Sequence, residues 1–220
     1  MGVSEARCIA LLGGSFDPVH NGHLALGSYF GKLLVPDELR VIPAGQPWQK
    51  QGLQTAPAHR AEMARLAFGQ MAVPVVIDEQ EIRREGATYT IDTLRALRDE
   101  LGPRASITLL IGADQLQQLQ TWKDWRALFN YANICAASRP GFSMDAAHVA
   151  PEVAQEFARR AATPAQIRGT PAGLAYLATN LAVDISATQI RAALERGADA
   201  GALIPAGVLD YIKQHHLYGN

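Results

Sequence analysis

The sequence has few cysteines and no long apolar run. Its 220 residues include only two cysteines, and Cys8 and Cys135 each lie among apolar neighbours. We expect both to be buried small hydrophobic side chains, not a disulfide or a nucleophile. No apolar run is long enough to cross a bilayer, and residues 1–7 lack the apolar core of a signal peptide. These absences predict a cytoplasmic protein that does not engage a membrane.

An excess of charge of either sign is also missing. The formal net charge is −1, from 20 lysines and arginines against 21 aspartates and glutamates. Without a basic excess, the chain is not expected to bind nucleic acid or a membrane surface. A phosphate-bearing ligand would therefore meet a few well-placed cations, and the composition favours small anionic substrates.

Two common nucleotide-binding motifs are absent after the first apolar run. Neither G-x-G-x-x-G of Rossmann dehydrogenases nor G-x-x-x-x-G-K-[ST] of P-loop ATPases follows Cys8–Leu12. The length suits one sizeable α/β domain with room for a small additional lobe. We predict a single domain over 1–220, in which 140–180 forms a peripheral lobe and 186–220 forms C-terminal helices.

Apolar runs alternate with amphipathic segments along the chain. The runs predict strands at Cys8–Leu12, Leu39–Pro43, Val73–Ile77, Ser106–Ile111, Asn133–Ala137 and Leu181–Ile185. The segments between them predict helices near Leu24–Leu34, Ala58–Phe68, Asp92–Leu101, Asp114–Leu119, Trp125–Asn130 and Glu152–Ala161. This order predicts an α/β fold with a Rossmann-like, doubly wound, mostly parallel sheet and helices on both faces. In such a sheet the loops that follow the strands meet at one edge, where ligands bind.

The most informative motif is the turn that follows the first strand. It reads Gly13-Gly14-Ser15-Phe16-Asp17-Pro18-Val19-His20-Asn21-Gly22-His23. Glycines let a backbone approach a ligand closely, and a helix N-terminus offers unpaired N–H groups and partial positive charge. The spacing of His20 and His23 brings both imidazoles to one side of the turn, within reach of one phosphate.

A metal site is the alternative interpretation of the histidine pair. The other candidate ligands are the two cysteines, His59, His148, His215 and His216. They show no spacing that is typical of a metal centre. The pattern therefore favours a phosphate site.

This turn resembles the (G)GSFDPxHxGH motif of the nucleotidyltransferase superfamily of α/β phosphodiesterases. Later segments resemble the bacterial nicotinate-mononucleotide adenylyltransferases in particular. In that family both histidines contact the phosphates of ATP during adenylyl transfer. The resemblance implies these roles for His20 and His23.

A second segment, Ile185–Arg191, resembles the family's ISSTxIR motif. The family's arginine and helix N-terminus hold the β- and γ-phosphates of ATP, which implies this role for Arg191. A solvated surface arginine that pairs with Glu195 is the alternative. Ser186 is a natural helix N-cap, and Ala187 replaces the family's second serine.

The loop Ile42–Lys50 resembles the family's IPxxxPPHK loop. The resemblance implies that Lys50 contacts phosphate. The family's histidine is replaced near Trp48 and Gln49, which is a departure from the family pattern in this loop.

Two further segments match the part of the family that binds the second substrate. Asp78–Leu94 is similar to E-x-x-R-x-G-x-S-Y-T-x-D-T-L, which implies that Thr88, Tyr89 and Thr90 bind the nicotinate ring and its carboxylate. The same residues also fit a helix start with Thr90 or Asp92 as its cap.

The other segment, Ile111–Lys123, resembles GADxLxxLxxWK. By family position Trp122 stacks on the pyridine ring and Trp125 belongs to the core. The resemblance also implies that Asp114 accepts hydrogen bonds from a ribose or adenine. Ser138-Arg139-Pro140-Gly141 continues the match.

The resemblance implies that ATP and nicotinate mononucleotide react to give deamido-NAD and pyrophosphate. The implied catalytic residues are His20, His23, Lys50 and Arg191. The implied ATP-binding residues are Gly13, Ser15, Phe16, His20, His23, Gly112, Asp114, Ile185, Ser186, Thr188 and Arg191. The implied mononucleotide-binding residues are Gly14, Ser15, Phe16, Lys50, Thr88, Tyr89, Thr90 and Trp122.

Mg²⁺ is expected to arrive on the ATP phosphates, with no dedicated protein ligands, in a monomer or homodimer. Three alternatives stay open. The chain would instead be a nicotinamide-mononucleotide adenylyltransferase, a pantetheine-phosphate adenylyltransferase, or a nucleotide-binding regulator that does not catalyse a reaction.

Overall fold

The computed structural model describes residues 7–47, 53–138, 141–142, 144–145, 148–181 and 185–219. The strands are β1 (Cys8–Gly14), β2 (Glu38–Pro43), β3 (Gln46–Pro47), β4 (Val75–Ile77), β5 (Ala87–Thr88), β6 (Ser106–Gly112), β7 (Asn133–Ala137) and β8 (Ala175–Ala178). The helices are α1 (Asn21–Leu34), α2 (Pro57–Phe68), α3 (Gln80–Arg83), α4 (Thr90–Leu101), α5 (Ala113–Gln117), α6 (Pro151–Arg159), α7 (Pro164–Gly169), α8 (Ala187–Glu195) and α9 (Ala206–Gln214). Short 3₁₀ turns cover Leu119–Thr121, Trp125–Asn130 and Leu217–Gly219.

Six strands form one parallel sheet in the order β4-β2-β1-β6-β7-β8. The register sets Gly14 beside Pro43 and Gly112 beside Ala137, so the carboxyl ends of four strands lie along one edge. The predicted α/β fold with a mostly parallel sheet is confirmed. A small second sheet pairs β3 with β5 beside that edge.

The central strand is buried on both faces. Residues Cys8–Leu12 are at most 1% exposed. Ala10 and Leu12 pack into one core with Phe30 of α1, and Ile9 and Leu11 pack into another with Leu94 of α4. Covering both faces of a parallel sheet requires apolar residues at every position, which explains the continuous apolar run.

Both cysteines are buried and unpaired, as predicted. Burial raises the pKa of the Cys8 and Cys135 thiols. A thiol that stays protonated in an apolar interior is a poor nucleophile.

The prediction of a strand at Leu181–Ile185 is wrong at the two residues of this segment that the structure describes. Leu181 and Ile185 lie outside any strand, and 182–184 fall outside the described residues. The last strand is β8, which pairs with β7. Pairing with a neighbouring strand, not local composition, selects the short run Ala175–Ala178, because strand preference depends strongly on context.

Several predicted element boundaries also shift, and one predicted helix is of a different type. The strand predicted from Val73 begins at Val75, because Pro74 has no N–H for the sheet. The helix predicted over Asp114–Leu119 ends at Gln117, and Trp125–Asn130 forms a 3₁₀ helix. The structure also contains short elements that the sequence did not predict, among them α3 and α7.

The segment predicted as a peripheral lobe contributes to the main core. Helices α6 and α7 place Phe157 and Ile167 among the buried residues, and β8 forms an edge of the main sheet. The division of the chain into domains stays a prediction. No helix within the described ranges is long and apolar enough to cross a membrane.

Val35 ends α1 in a left-handed conformation with φ 44° and ψ 57°. Left-handed backbone costs a residue with a Cβ about 1–2 kcal/mol, and asparagine tolerates it better. The Val35 side chain is 65% exposed, so little packing is lost on replacement. We expect Val35→Asn to raise the free energy of unfolding by about 0.5–1 kcal/mol, or roughly 2 °C in Tm.

Val76→Asn is the matched control in thermal denaturation. Val76 is 41% exposed but lies in β4, where a β-branched side chain suits the backbone. We expect no gain in Tm from this control. A Tm that falls in Val35→Asn by as much as in Val76→Asn would contradict the explanation.

Candidate active site

The turn between β1 and α1 holds two stacked imidazoles. The ring centroids of His20 and His23 are 3.7 Å apart with an interplanar angle of 23°, so both lie on one side of the turn. The His20 backbone N–H donates to Nδ1 of His23 at 3.2 Å. Because that nitrogen accepts, neutral His23 carries its proton on Nε2. This tautomer provides the donor that a phosphate oxygen requires.

The two glycines of the turn have different requirements. A Cβ on Gly14 would come within 2.9 Å of the Phe16 ring. That ring is fully buried, and it contacts the His23 ring edge-on with 4.9 Å between the ring centroids. A Cβ on Gly13 would meet nothing within 4 Å among the described residues. Packing therefore requires glycine at position 14, whereas Gly13 leaves open space beside the backbone.

A cleft of about 130 Å³ opens beside this turn at the carboxyl edge of the sheet. Six of the predicted site residues line it, from three separate segments of the chain: Gly13, Gly14, Ser15, Thr88, Thr90 and Trp122. Trp125 is 6% exposed within the core, as predicted. The structure thus brings the phosphate turn and the predicted ring pocket to one cleft.

Ten other predicted site residues within the described ranges do not line the cleft. They are Phe16, His20, His23, Tyr89, Gly112, Asp114, Ile185, Ser186, Thr188 and Arg191. Tyr89 lies under the Lys123 ammonium, with Nζ 4.4 Å from the ring centroid. Lys50, with Trp48 and Gln49, falls outside the described residues.

The two predicted helix caps differ in detail from the structure. Helix α4 begins at Thr90 with Tyr89 as N-cap, so neither Thr90 nor Asp92 occupies the cap. Asp92 instead pairs with Arg95 at 3.1 Å. Ser186 is the N-cap of α8, as predicted, but its side chain makes no capping hydrogen bond.

Arg191 joins the two phosphate motifs, which are far apart in sequence. Its Nη1 donates to the backbone oxygen of Asp17 at 2.7 Å, and its Nη2 donates to Thr188 Oγ1 at 3.3 Å. Glu195, the partner in the surface alternative, accepts from Gln54 Nε2 at 3.1 Å. Arg191 is therefore anchored on the phosphate turn by its contacts.

Asp17 lies within the first motif but was not among the predicted site residues. Its side chain is 1% exposed, with Oδ1 accepting from the Tyr218 hydroxyl at 2.6 Å and Oδ2 from the Gln54 N–H at 2.9 Å. A carboxylate in a turn between apolar neighbours is a signal for such a role. Nothing local in the sequence signals Tyr218, which is 201 residues away.

Arg60 is a second residue that the sequence analysis missed. It is fully buried in α2, and its guanidinium donates only to backbone oxygens in the described structure. These are Ser15 O at 2.8 Å, Ala44 O at 2.6 Å, Gly45 O at 3.2 Å and Thr55 O at 3.2 Å. Desolvation lowers the pKa of Arg60. Arg60 thus ties the turn after β1 to the loop after β2.

Glu81 supplies a carboxylate to the wall of the cleft. It accepts from Thr93 Oγ1 at 2.6 Å, and desolvation raises the pKa of its carboxyl group. Gly45 packs so closely on this segment that a Cβ there would overlap the Glu81 carbonyl oxygen. The neighbouring Thr88 Oγ1 is buried and faces the Glu81 carboxyl group, whose pKa it helps to lower against the larger effect of desolvation.

The sequence matches a known protein family over most of its length. A cytidylyltransferase-like family model matches residues 11–193. A protein of Herminiimonas arsenicoxydans, named "probable nicotinate-nucleotide adenylyltransferase", is 69% identical over 215 residues, covering 98% of each chain. The chain belongs to the nicotinate-nucleotide adenylyltransferase family, within the cytidylyltransferase-like proteins.

A second relative agrees with this membership, and a solved structure agrees with the fold. A Chromobacterium violaceum protein of the same printed name is 43% identical over 211 residues, covering 96% of this chain and 98% of its own. The structure of Plasmodium falciparum nicotinic acid mononucleotide adenylyltransferase complexed with NaAD matches with a TM-score of 0.74. That match covers 96% of this chain and 97% of the other at 20% identity, and it supports the fold alone.

We expect Arg60→Met to lower the free energy of unfolding by about 2 kcal/mol, because it leaves several buried carbonyl oxygens without a donor. Arg65→Met on the same helix is the matched control. Arg65 is 45% exposed and pairs with Glu62 and Glu79, and such surface pairs contribute about 0–1 kcal/mol. Chemical denaturation measures both variants, and equal losses would contradict the role of Arg60.

Glu81→Gln tests the buried carboxyl through pH. The pKa of Glu81 is raised in the folded state, so at high pH its ionised carboxylate destabilises the folded chain. Below the ordinary glutamate pKa the carboxyl group is protonated in both the folded and the unfolded chain, and this cost disappears. We expect the variant to be more stable than the original chain at about pH 8, and the difference to vanish towards about pH 4. Urea denaturation across this range measures it. A gain that grows as the pH falls would contradict the prediction.

Proposed function

We propose that this chain transfers the adenylyl group of ATP to nicotinate mononucleotide, giving deamido-NAD and pyrophosphate. The main support for the proposal is that residues of the phosphate turn and of the predicted ring pocket line one cleft. Gly13, Gly14 and Ser15 line the same cleft as Thr88, Thr90 and Trp122. A donor phosphate on the turn and an acceptor phosphate in the cleft would then be adjacent. Relatives up to 69% identical bear the name of this activity.

In the proposed reaction, a phosphate oxygen of the mononucleotide attacks the α-phosphorus of ATP, and the bond to the pyrophosphate oxygen breaks. Little covalent chemistry is required of the protein, because positioning and charge stabilisation lower the barrier. His23 would donate from Nε2 to the α-phosphate oxygen, and His20 would act beside it. Donors aimed at developing charge commonly contribute about 3–4 kcal/mol each.

The remaining ATP contacts are assigned at the other side of the turn. Arg191 and the N-terminus of α8 would hold the β- and γ-phosphates, since the first N–H groups of that helix receive no side-chain cap from Ser186. Ile185, Ser186 and Thr188 belong to this subsite in the proposal. Phe16 would shape the turn, Gly112 and Asp114 would meet the ribose or adenine, and Lys50 would contact phosphate.

The nicotinate ring is assigned to the cleft wall. Trp122 would stack on the pyridine, a contact worth roughly 1–3 kcal/mol for nucleic-acid bases. Thr88, Tyr89 and Thr90 would meet the carboxylate at the start of α4, where helix N–H groups favour an anion. Gly14 and Ser15 would approach the phosphate of the same substrate.

Mg²⁺ enters this proposal as part of the ATP substrate. No group of three or more histidine, cysteine, aspartate or glutamate side chains within the described residues is arranged to hold a metal. The carboxylate of the turn, Asp17, is occupied by Tyr218 and the Gln54 N–H. The described residues therefore fit a cation that is held by the phosphate oxygens of ATP. Such a cation would neutralise part of the phosphate charge. A cytoplasmic location and a monomeric or homodimeric state remain part of the proposal.

The test is pyrophosphate release with MgATP and each of three acceptors: nicotinate mononucleotide, nicotinamide mononucleotide and pantetheine phosphate. We expect rapid release with the first and much slower release with the others. Equal rates with the acid and the amide would remove the acid preference. No release with any acceptor, from a protein that binds ATP, would favour the non-catalytic alternative.

His23→Ala tests the proposed donor. We expect kcat to fall by about 10²–10³-fold with an unchanged circular dichroism spectrum, because one oxyanion-type donor is lost. His148→Ala, at an exposed histidine that pairs with Asp145, is the control and should retain full activity. Near-normal turnover in His23→Ala would contradict the assigned role.

A further inference from the structure

The carboxyl-terminal turn reaches the phosphate turn through one side chain. The Tyr218 hydroxyl donates to Asp17 Oδ1 at 2.6 Å, across 201 residues of sequence. Tyr218 is 7% exposed and Asp17 is 1% exposed, so water contributes little at this contact. A charge-assisted hydrogen bond in such surroundings is among the stronger kinds.

The backbone around Tyr218 is arranged to make this contact. His216 and Tyr218 both adopt left-handed conformations, with φ 49° and φ 59°. Conformations of this kind cost a residue with a Cβ about 1–2 kcal/mol. The turn Leu217–Gly219 packs against α8, where Gly219 lies near the Cα of Glu195. Two residues thus adopt unfavourable backbone conformations in the turn that directs the Tyr218 phenol into the interior.

Asp17 connects this phenol to both halves of the proposed triphosphate site. Its carboxylate accepts from Tyr218 and its backbone oxygen accepts from Arg191 Nη1 at 2.7 Å. It lies three residues before His20 in the same turn. A shift of Asp17 would therefore move the acceptor of Arg191 and the start of the imidazole pair together.

We propose that Tyr218 is a positioning residue for adenylyl transfer, which keeps Arg191 and the imidazole pair in register by holding the Asp17 carboxylate. The proposal rests on the proposed function above. Tyr218 itself touches no reacting atom. Its effect is on the geometry of the transition state, where a displacement of about 1 Å can cost about 10²-fold in rate.

The test compares Tyr218→Phe with Tyr211→Phe, each of which removes one hydroxyl. The Tyr211 hydroxyl bonds His59 Nδ1 at 2.8 Å between α9 and α2, away from the residues that line the cleft. We expect kcat in Tyr218→Phe to fall about tenfold at saturating substrates, with the KM for nicotinate mononucleotide little changed. The Tyr211→Phe control should keep its kcat.

A double-substitution cycle separates positioning from a general loss of stability. If Tyr218 acts through Asp17, Tyr218→Phe should lower kcat much less in the Asp17→Asn background than in the original chain. A purely structural role predicts a lower Tm with an unchanged kcat well below that Tm. That result, or effects on kcat that simply multiply, would overturn the proposal.

A second variant covers the case in which Tyr218→Phe does not fold. 4-Aminophenylalanine at position 218 keeps the ring and places an N–H donor where the hydroxyl stood, so it can still donate to Asp17. We expect this variant to fold and to keep a kcat close to that of the original chain. A kcat about tenfold lower with an unchanged circular dichroism spectrum would overturn the proposal. If the original chain itself releases no pyrophosphate, the proposed function fails as well, and this distinguishes the two failures.

Discussion

The hydrogen bonds of Asp17 hold together the parts of this molecule that carry its chemistry. One buried residue accepts from Tyr218 near the carboxyl terminus, from the Gln54 N–H before α2, and from Arg191 of α8. These partners come from three segments that are distant in sequence. A buried carboxylate without donors would be costly, so each donor favours the arrangement that supplies the others. The conformation of the phosphate turn therefore depends on contacts from distant parts of the fold.

The parallel sheet explains why these segments can meet at all. Four strands end along one edge, and both faces of the central strand are covered by apolar cores. Every loop at that edge is thus carried by a rigid element. Arg60 then fixes two of the loops by donating to Ser15 O and Ala44 O from a fully buried position. Its charge also lies under a site that is proposed to bind a triphosphate, where a cation favours the ligand.

Local patterns in the sequence predicted most of the fold and part of the candidate site. Continuous apolar runs located β1, β2, β6 and β7, because strands buried on both faces require them. The apolar run at Leu181–Ile185 led to a wrong strand prediction, because the edge strand β8 is selected by its pairing with β7 and not by local composition. The motif residues Gly13, Thr88 and Trp122 line one cleft because the strand order brings their loops together.

The contacts that depend on three-dimensional proximity had no local signal. Tyr218 lies 201 residues from Asp17, and Arg60 looks like any other arginine on a helix until its burial is known. Helix ends are set by a few hydrogen bonds, which explains why α4 begins at Thr90 with Tyr89 as its cap. Long-range pairing of buried polar groups is the part of this site that sequence reasoning did not reach.

The central claim is that the imidazole turn and the arginine helix bind one triphosphate together. A crystal structure with MgATP and an unreactive analogue of nicotinate mononucleotide tests it most directly. The account predicts the α-phosphate within hydrogen-bonding distance of His23 Nε2, the β- and γ-phosphates at Arg191 and the α8 N-terminus, and the ring against Trp122. A triphosphate bound away from either His23 or Arg191 would contradict it.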